Sequence, residues 1–199
     1  MTFLDQDINK IINKANESDK KTIKAYLTML KNPKSVGEFM DKFKKAVNDN
    51  TSKQMLGFKI IERSNEPRFF SYVLDTIKDL DNNIQVQTAF KSLKILPEDI
   101  NIINKYLSTI IKLIDKIRDR EVIYHGVCLL YRAEKKHPSL KETIKNYNIT
   151  LTEEEGHKLL RKFDIQEKWA TKNHRGKTKP GYIQSMDDFV SFSQNFITY

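Results

Sequence analysis

Apolar side chains recur every three or four residues along the first half of the chain, and breakers or helix caps separate the periodic runs. This spacing is typical of short amphipathic helices. Residues 55–61 fit either a helix or a strand, and we favour a helix. An irregular helical bundle is therefore predicted over residues 1–96, with periodic runs at residues 4–15, 23–30, 39–47, 70–77 and 84–93.

The longest predicted helix follows Pro97, which suits a first helical turn together with the acidic Glu98 and Asp99. Its apolar residues alternate spacings of three and four, as in a heptad seam, and a second apolar stripe runs beside the seam. This pattern fits a central helix buried on two sides, or a helix that pairs two copies of the chain in a homodimer. Residues 97–117 are predicted to be this central connecting helix, and its seam consists of Ile100, Ile103, Leu107, Ile110, Ile114 and Ile117.

Three further helices are predicted beyond residue 118, and each has its own start or stop signal. The first covers residues 121–136 and precedes a proline. Ser139 is predicted to cap the second, a short helix over residues 140–147, and Thr150 or Thr152 the third, over residues 153–163. Two short helices joined by a tight turn therefore follow a longer one.

A β-hairpin is predicted after the third helix. Residues 168–172 and 180–183 are β-prone and each contain an aromatic side chain, Trp169 and Tyr182. The basic stretch between them contains a glycine, as a turn between two strands often does. This hairpin completes the order helix, short helix, turn, helix, hairpin.

That order resembles a winged helix-turn-helix domain, and the resemblance covers roughly residues 118–185. The predicted fold class is therefore mainly α, with three parts: an N-terminal helical domain over 1–96, the connecting helix over 97–117, and a winged-helix domain with a C-terminal helix over 118–199. The resemblance implies that the third helix enters the DNA major groove and that the hairpin, the wing, contacts the backbone or the minor groove.

The charge of the chain agrees with that use. Its formal net charge is +9 and its pI is near 9.4, a balance that attracts polyanions, although it also occurs as a compositional habit of lysine-rich chains. Basic residues of the third helix and the wing would neutralise phosphates, and Arg161 would bind a guanine or a phosphate. The candidate nucleic-acid-binding residues are Lys158, Arg161, Lys162, Lys168, Lys172, Arg175, Lys177 and Lys179.

The predicted third helix opens with the acidic run Glu153–Glu155, which would repel phosphates. This run favours an alternative in which the N-terminal helices bind a protein partner and the winged helix is scaffold, as in a phage-related or defence-related adaptor or inhibitor. In a third interpretation, Trp169 and Tyr182 stack on the bases of a single RNA strand, although packing within the wing also explains them. The leading hypothesis is a DNA-binding regulator, with DNA favoured over RNA.

The sequence contains no pattern that indicates an enzyme. Gly-rich phosphate loops, paired metal motifs and nucleophile elbows are absent from it, so no catalytic residue and no cofactor is predicted. Its single cysteine, Cys128, follows His125 by three residues, which fits a buried cysteine beside a structural histidine better than half of a metal site. No metal is therefore expected.

The first residues of the sequence lack the basic region and long apolar region of a signal peptide. No stretch approaches the roughly 18 consecutive apolar residues that a membrane span needs. A cytoplasmic protein without a membrane partner is the expectation.

Overall fold

The computed structural model describes residues 57–62, 67–147, 149–162, 186–194 and 196, together with single positions at 17, 20, 21, 24, 25, 28 and 38. Helices make up 79% of the described part, which contains no β-strand, so the mainly α fold class is confirmed. After the helical residues 57–62, the main helices are α1 (Phe69–Ile77), α2 (Asn83–Ser92), α3 (Ile100–Ile117), α4 (Arg120–Lys136), α5 (Lys141–Lys145), α6 (153–162) and α7 (Met186–Gln194).

Short polar side chains fix where the longer helices begin. The Asp99 carboxylate accepts a hydrogen bond from the Asn101 backbone N–H at 2.9 Å, and α3 begins directly after it. Asp119 caps α4 in the same way, with its carboxylate bonded to the backbone N–H groups of Glu121 and Val122. Each cap satisfies donors that have no partner within the helix, which is why the helices begin where they do.

The four helices α1–α4 form two stacked hairpins. Helix α1 packs on α2 and α3, and α4 packs on the same two helices from the opposite corner. At Gly126 of α4, an added Cβ would lie 2.7 Å from Cδ1 of Ile114 and 3.1 Å from Cε2 of Phe90. The glycine therefore lets α4 approach α3 and α2 more closely than any other residue would.

The seam of α3 is buried within the chain itself. Ile103, Leu107, Ile110 and Ile114 are fully buried, and they belong to one hydrophobic core that runs from Phe58 to Phe196. This burial agrees with the interpretation as a central helix. A homodimer through the same helix stays a prediction, and it would have to use the outer face of α3.

The helices after α4 agree with the predicted order in part. Helix α4 ends at Lys136 before Pro138, as expected, but Ser139 lies inside a 3-10 turn, Pro138–Leu140, and does not cap the short helix. That prediction was wrong because Pro138 takes the first position of the turn and starts it one step earlier. The α-helical part that follows is only α5, five residues long.

Helix α7 closes this end of the molecule. The rings of Phe189 and Phe192 meet the Tyr131 ring of α4 edge to face, with centroids 5.5 and 5.3 Å apart. Beyond α7, the Phe196 carbonyl accepts a hydrogen bond from the Leu151 backbone N–H at 2.6 Å, next to the start of α6. The predicted hairpin over residues 168–183 lies outside the described residues, and the three predicted domain ranges stay a prediction.

Candidate nucleic-acid interface

The N-terminus of α6 is fixed by a capping box. The Thr152 hydroxyl accepts a hydrogen bond from the Glu155 backbone N–H at 3.3 Å, and the Glu155 carboxylate accepts one from the Thr152 backbone N–H at 2.9 Å. This reciprocal pair satisfies two backbone donors that have no partner within the helix. Of the two predicted caps, Thr150 and Thr152, it is therefore Thr152 that caps the third helix.

The same end of α6 is tied to α3 by Arg118. This residue has a left-handed backbone, with φ of 51°, in the two-residue connection between α3 and α4. Its guanidinium forms an ion pair with Glu155 and donates a hydrogen bond to the Thr150 carbonyl at 2.9 Å. Glu155, one of the three acids at the start of α6, is thus paired with a cation of the protein itself.

The other end of α6 is tied to α4 by Lys162. The Lys162 ammonium forms an ion pair with Glu121 and lies 5.0 Å from the centre of the Tyr124 ring. Burial works in the opposite direction, but the hydrogen bond and charge of Lys162 hold the pKa of Glu121 below its usual value. Only 19% of the Lys162 side chain is exposed, so it serves as an anchor first and a surface cation second.

The exposed face of α6 contains the other two candidate cations of this helix. Lys158 pairs with Glu154 one turn earlier, so that a second acid of the run is also matched by a cation. Arg161 is exposed, and it has no ion-pair partner in the part of the chain that the structure describes. The five candidates in the predicted wing, Lys168, Lys172, Arg175, Lys177 and Lys179, lie outside that part.

His125 and Cys128 both belong to α4. The Cys128 side chain is buried, and that of His125 is largely buried. Burial raises the pKa of the Cys128 thiol to about 12. Burial also lowers the pKa of His125 to about 4, and the neighbouring cations Lys162 and Lys91 add to this effect. Both groups are neutral near pH 7, and within the described ranges no three His, Cys, Asp or Glu side chains are grouped as metal ligands.

Two cations that the sequence did not single out, Lys91 and Arg132, lower the pKa of His125 through their charge. Lys91 stands in the last turn of α2, and Arg132 lies two turns further along α4 than the histidine. They belong to separate helices, and neither is part of a basic run. Only the packing of α2 on α4 reveals that they are neighbours, because no local spacing signals it.

A shallow depression of about 500 Å³ lies where the α1–α2 and α3–α4 connections meet. Its polar side chains are paired with one another: Lys116 with Asp81, and the Asn83 amide donating to Asp119 at 3.1 Å. A ligand would have to break these pairs to bind, so the depression is a poor candidate for a small-molecule site.

No family model, no curated protein and no solved structure matches this chain. Among the described helices, none is both long enough and apolar enough to cross a membrane.

Proposed function

We propose that this protein is a non-enzymatic nucleic-acid-binding protein, a DNA-binding regulator that contacts the backbone through α6 and the basic segment 168–179. One observation supports this most directly: both ends of α6 are anchored by ion pairs, Arg118 with Glu155 and Lys162 with Glu121. A helix held in this way presents Arg161 outward from a fixed position.

The ion pairs also reduce the main objection to the proposal. Glu155 and Glu154 each have a cationic partner, which leaves Glu153 as the unmatched acid of the run in the described part of the chain. The segment that follows α6 adds five cations and no acid between Lys168 and Lys179. The charge of α6 together with the segment that follows it in sequence therefore favours phosphate.

Fluorescence anisotropy tests the proposal. The labelled probes are a random-sequence DNA duplex and a single-stranded RNA of equal length, each titrated over a series of salt concentrations. We expect duplex DNA to bind more tightly than RNA, and its affinity to fall steeply as salt rises, because phosphate binding releases counterions. Absence of binding to either probe at low salt would overturn the proposal. Tighter binding to single-stranded RNA would favour the RNA interpretation.

A helical protein-interaction adaptor is the second candidate, and the stacking of α1–α4 favours it. Paired helices stacked in this way are the building plan of repeat proteins whose surfaces bind other proteins. Ile84 and Ile95 near the two ends of α2 are 52% and 41% exposed, respectively. A pull-down that recovers one stoichiometric protein and no nucleic acid would support this candidate over the first.

A further inference from the structure

A polar stripe runs along α4 on the side that faces α2 and α6. Glu121, His125 and Arg132 follow one another at spacings of four and seven residues, which place them on one face of a helix. Glu121 lies at the α6 end of the stripe because it pairs with Lys162. The stripe therefore connects the surface of α6 to that of α2.

Arg132 fixes the end of α2 beside this stripe. Its Nη1 donates a hydrogen bond to the Lys94 carbonyl at 2.9 Å, and its Nε donates to the Cys128 carbonyl at 3.2 Å. Lys91, one turn before Lys94, is thereby held close to α4. It is exposed, and none of the described residues forms an ion pair with it.

The pKa of His125 depends on the charges around it. It is set between α2, α4 and α6, and after burial the Lys162, Lys91 and Arg132 cations are what lower its pKa, whereas the Glu121 carboxylate raises it. Among the described acids, Glu121 lies 3.9 Å from the imidazole Nε2 of His125, and it already has Lys162 as a partner. Among the described residues that act on His125, three are thus cations and one is an acid.

We infer that Lys91, His125, Arg132 and Lys162 form a second phosphate-binding surface, the α2–α4 strip, along which the nucleic-acid backbone continues beyond α6. The inference rests on the proposed function. Lys162 is common to both surfaces, so a backbone that follows α6 reaches the strip without leaving the protein. Arg132 lies at the end of the strip away from Lys162, and Lys91 is the exposed cation among the four.

Charge reversal at Lys91 tests the strip with duplex DNA. Lys91→Glu should weaken binding several-fold and make the salt dependence shallower by at least about one unit of slope, the share of one phosphate contact. Lys78→Glu is the matched control: Lys78 is exposed and stands at the C-terminus of α1, at the opposite end of the α1–α2 hairpin. Equal affinity of Lys91→Glu and wild type would overturn the strip while leaving the proposed function intact.

A second measurement uses inorganic tripolyphosphate and does not depend on DNA. In protein labelled with ¹⁵N-histidine at pH 6, tripolyphosphate should shift the ring signals of His125 saturably and those of His137, at the other end of α4, much less. Lys91→Glu should weaken this response. A response at His125 without any DNA binding would overturn the proposed function alone, and unmoved His125 signals would overturn the strip.

Discussion

Helices α4 and α6 are held in place by different forces. At Gly126, α4 comes so close to α3 that no side chain fits between them, and ten of its residues are buried. Helix α6 buries Gly156 and Leu159 and is anchored at its two ends by Arg118–Glu155 and Lys162–Glu121. Apolar burial fixes the body, whereas charge fixes the helix that we assign to nucleic-acid contact.

This difference has a consequence for function. Hydrophobic burial is insensitive to moderate salt, whereas salt weakens the attraction between charges, although partly buried pairs such as these are screened less than exposed ones. The phosphates of a nucleic acid would also compete with Glu121 and Glu155 for the anchoring cations. We therefore expect the attachment of α6 to be more sensitive to salt than the packing of the body.

The largest loss of stability is expected from removing a core side chain between α2 and α4. Phe90→Ala should lower the free energy of unfolding by about 3–5 kcal/mol, because Phe90 is fully buried where α2 meets α4. Ile84→Ala, on the exposed side of the same helix, should change it by less than about 0.5 kcal/mol. Chemical denaturation of both variants measures the contrast, and similar losses would contradict the assigned burial.

Acid should weaken the body through His125. Its pKa is about 4 when folded and 6.5 when unfolded, so the unfolded state takes up the proton more readily. The His125 contribution is therefore constant above pH 6.5, falls as the pH drops, and levels off below about pH 4, at a total loss of about 3 kcal/mol.

Urea titrations from pH 7 to pH 4 measure this loss. His125→Gln should remove it and flatten the pH dependence of wild type by that amount. An unchanged pH profile in the variant would mean that His125 is not buried among cations as described.

Gly126→Ala tests the close approach of α4 to α3. Whereas Phe90→Ala removes side-chain volume from the core, this variant adds it. The new Cβ would lie 2.7 Å from two Ile114 carbons, and such overpacking typically costs about 1–3 kcal/mol, partly offset by about 1 kcal/mol of better helix propensity. We expect a net loss in thermal stability that Ile114→Val partly restores. A more stable Gly126→Ala would show that α3 and α4 have room to move apart.

The smallest effect is expected at the cap of α6. Thr152→Ala should cost about 1 kcal/mol, and the loss should be local to α6. Hydrogen exchange measures it residue by residue: α6 amides should exchange faster in the variant, and faster in wild type at 1 M salt, while α3 amides stay protected. If 1 M salt accelerated the exchange of α3 and α6 amides equally, α6 would not depend on charge more than the body does.

The helices of the body were predictable because each combines a local periodicity with a local cap. Residues 100–117 have an apolar seam behind Asp99, and residues 120–136 end before Pro138, so the predicted and observed bounds nearly coincide. The short helix was predicted less well, since Pro138 can start a 3-10 turn as easily as precede an α-helix.

The electrostatic environment of the site was much less predictable. Lys158, Arg161 and Lys162 look alike in sequence, yet only packing shows that Lys162 is an anchor on Glu121 and that Arg161 is exposed. Lys91 is far from them in sequence and becomes a neighbour through the packing of α2 on α4. Partners brought together by tertiary packing leave no local pattern.

We expect the basic segment after α6 to bind the nucleic-acid backbone, and a salt series with a triple variant is the sharpest test of this claim. Anisotropy of a labelled random duplex is measured for wild type and for Arg175→Ala/Lys177→Ala/Lys179→Ala. We expect weaker binding by the variant and a slope of log affinity against log salt shallower by about 3, one unit for each lost phosphate contact. A variant with the affinity and slope of wild type would contradict the claim.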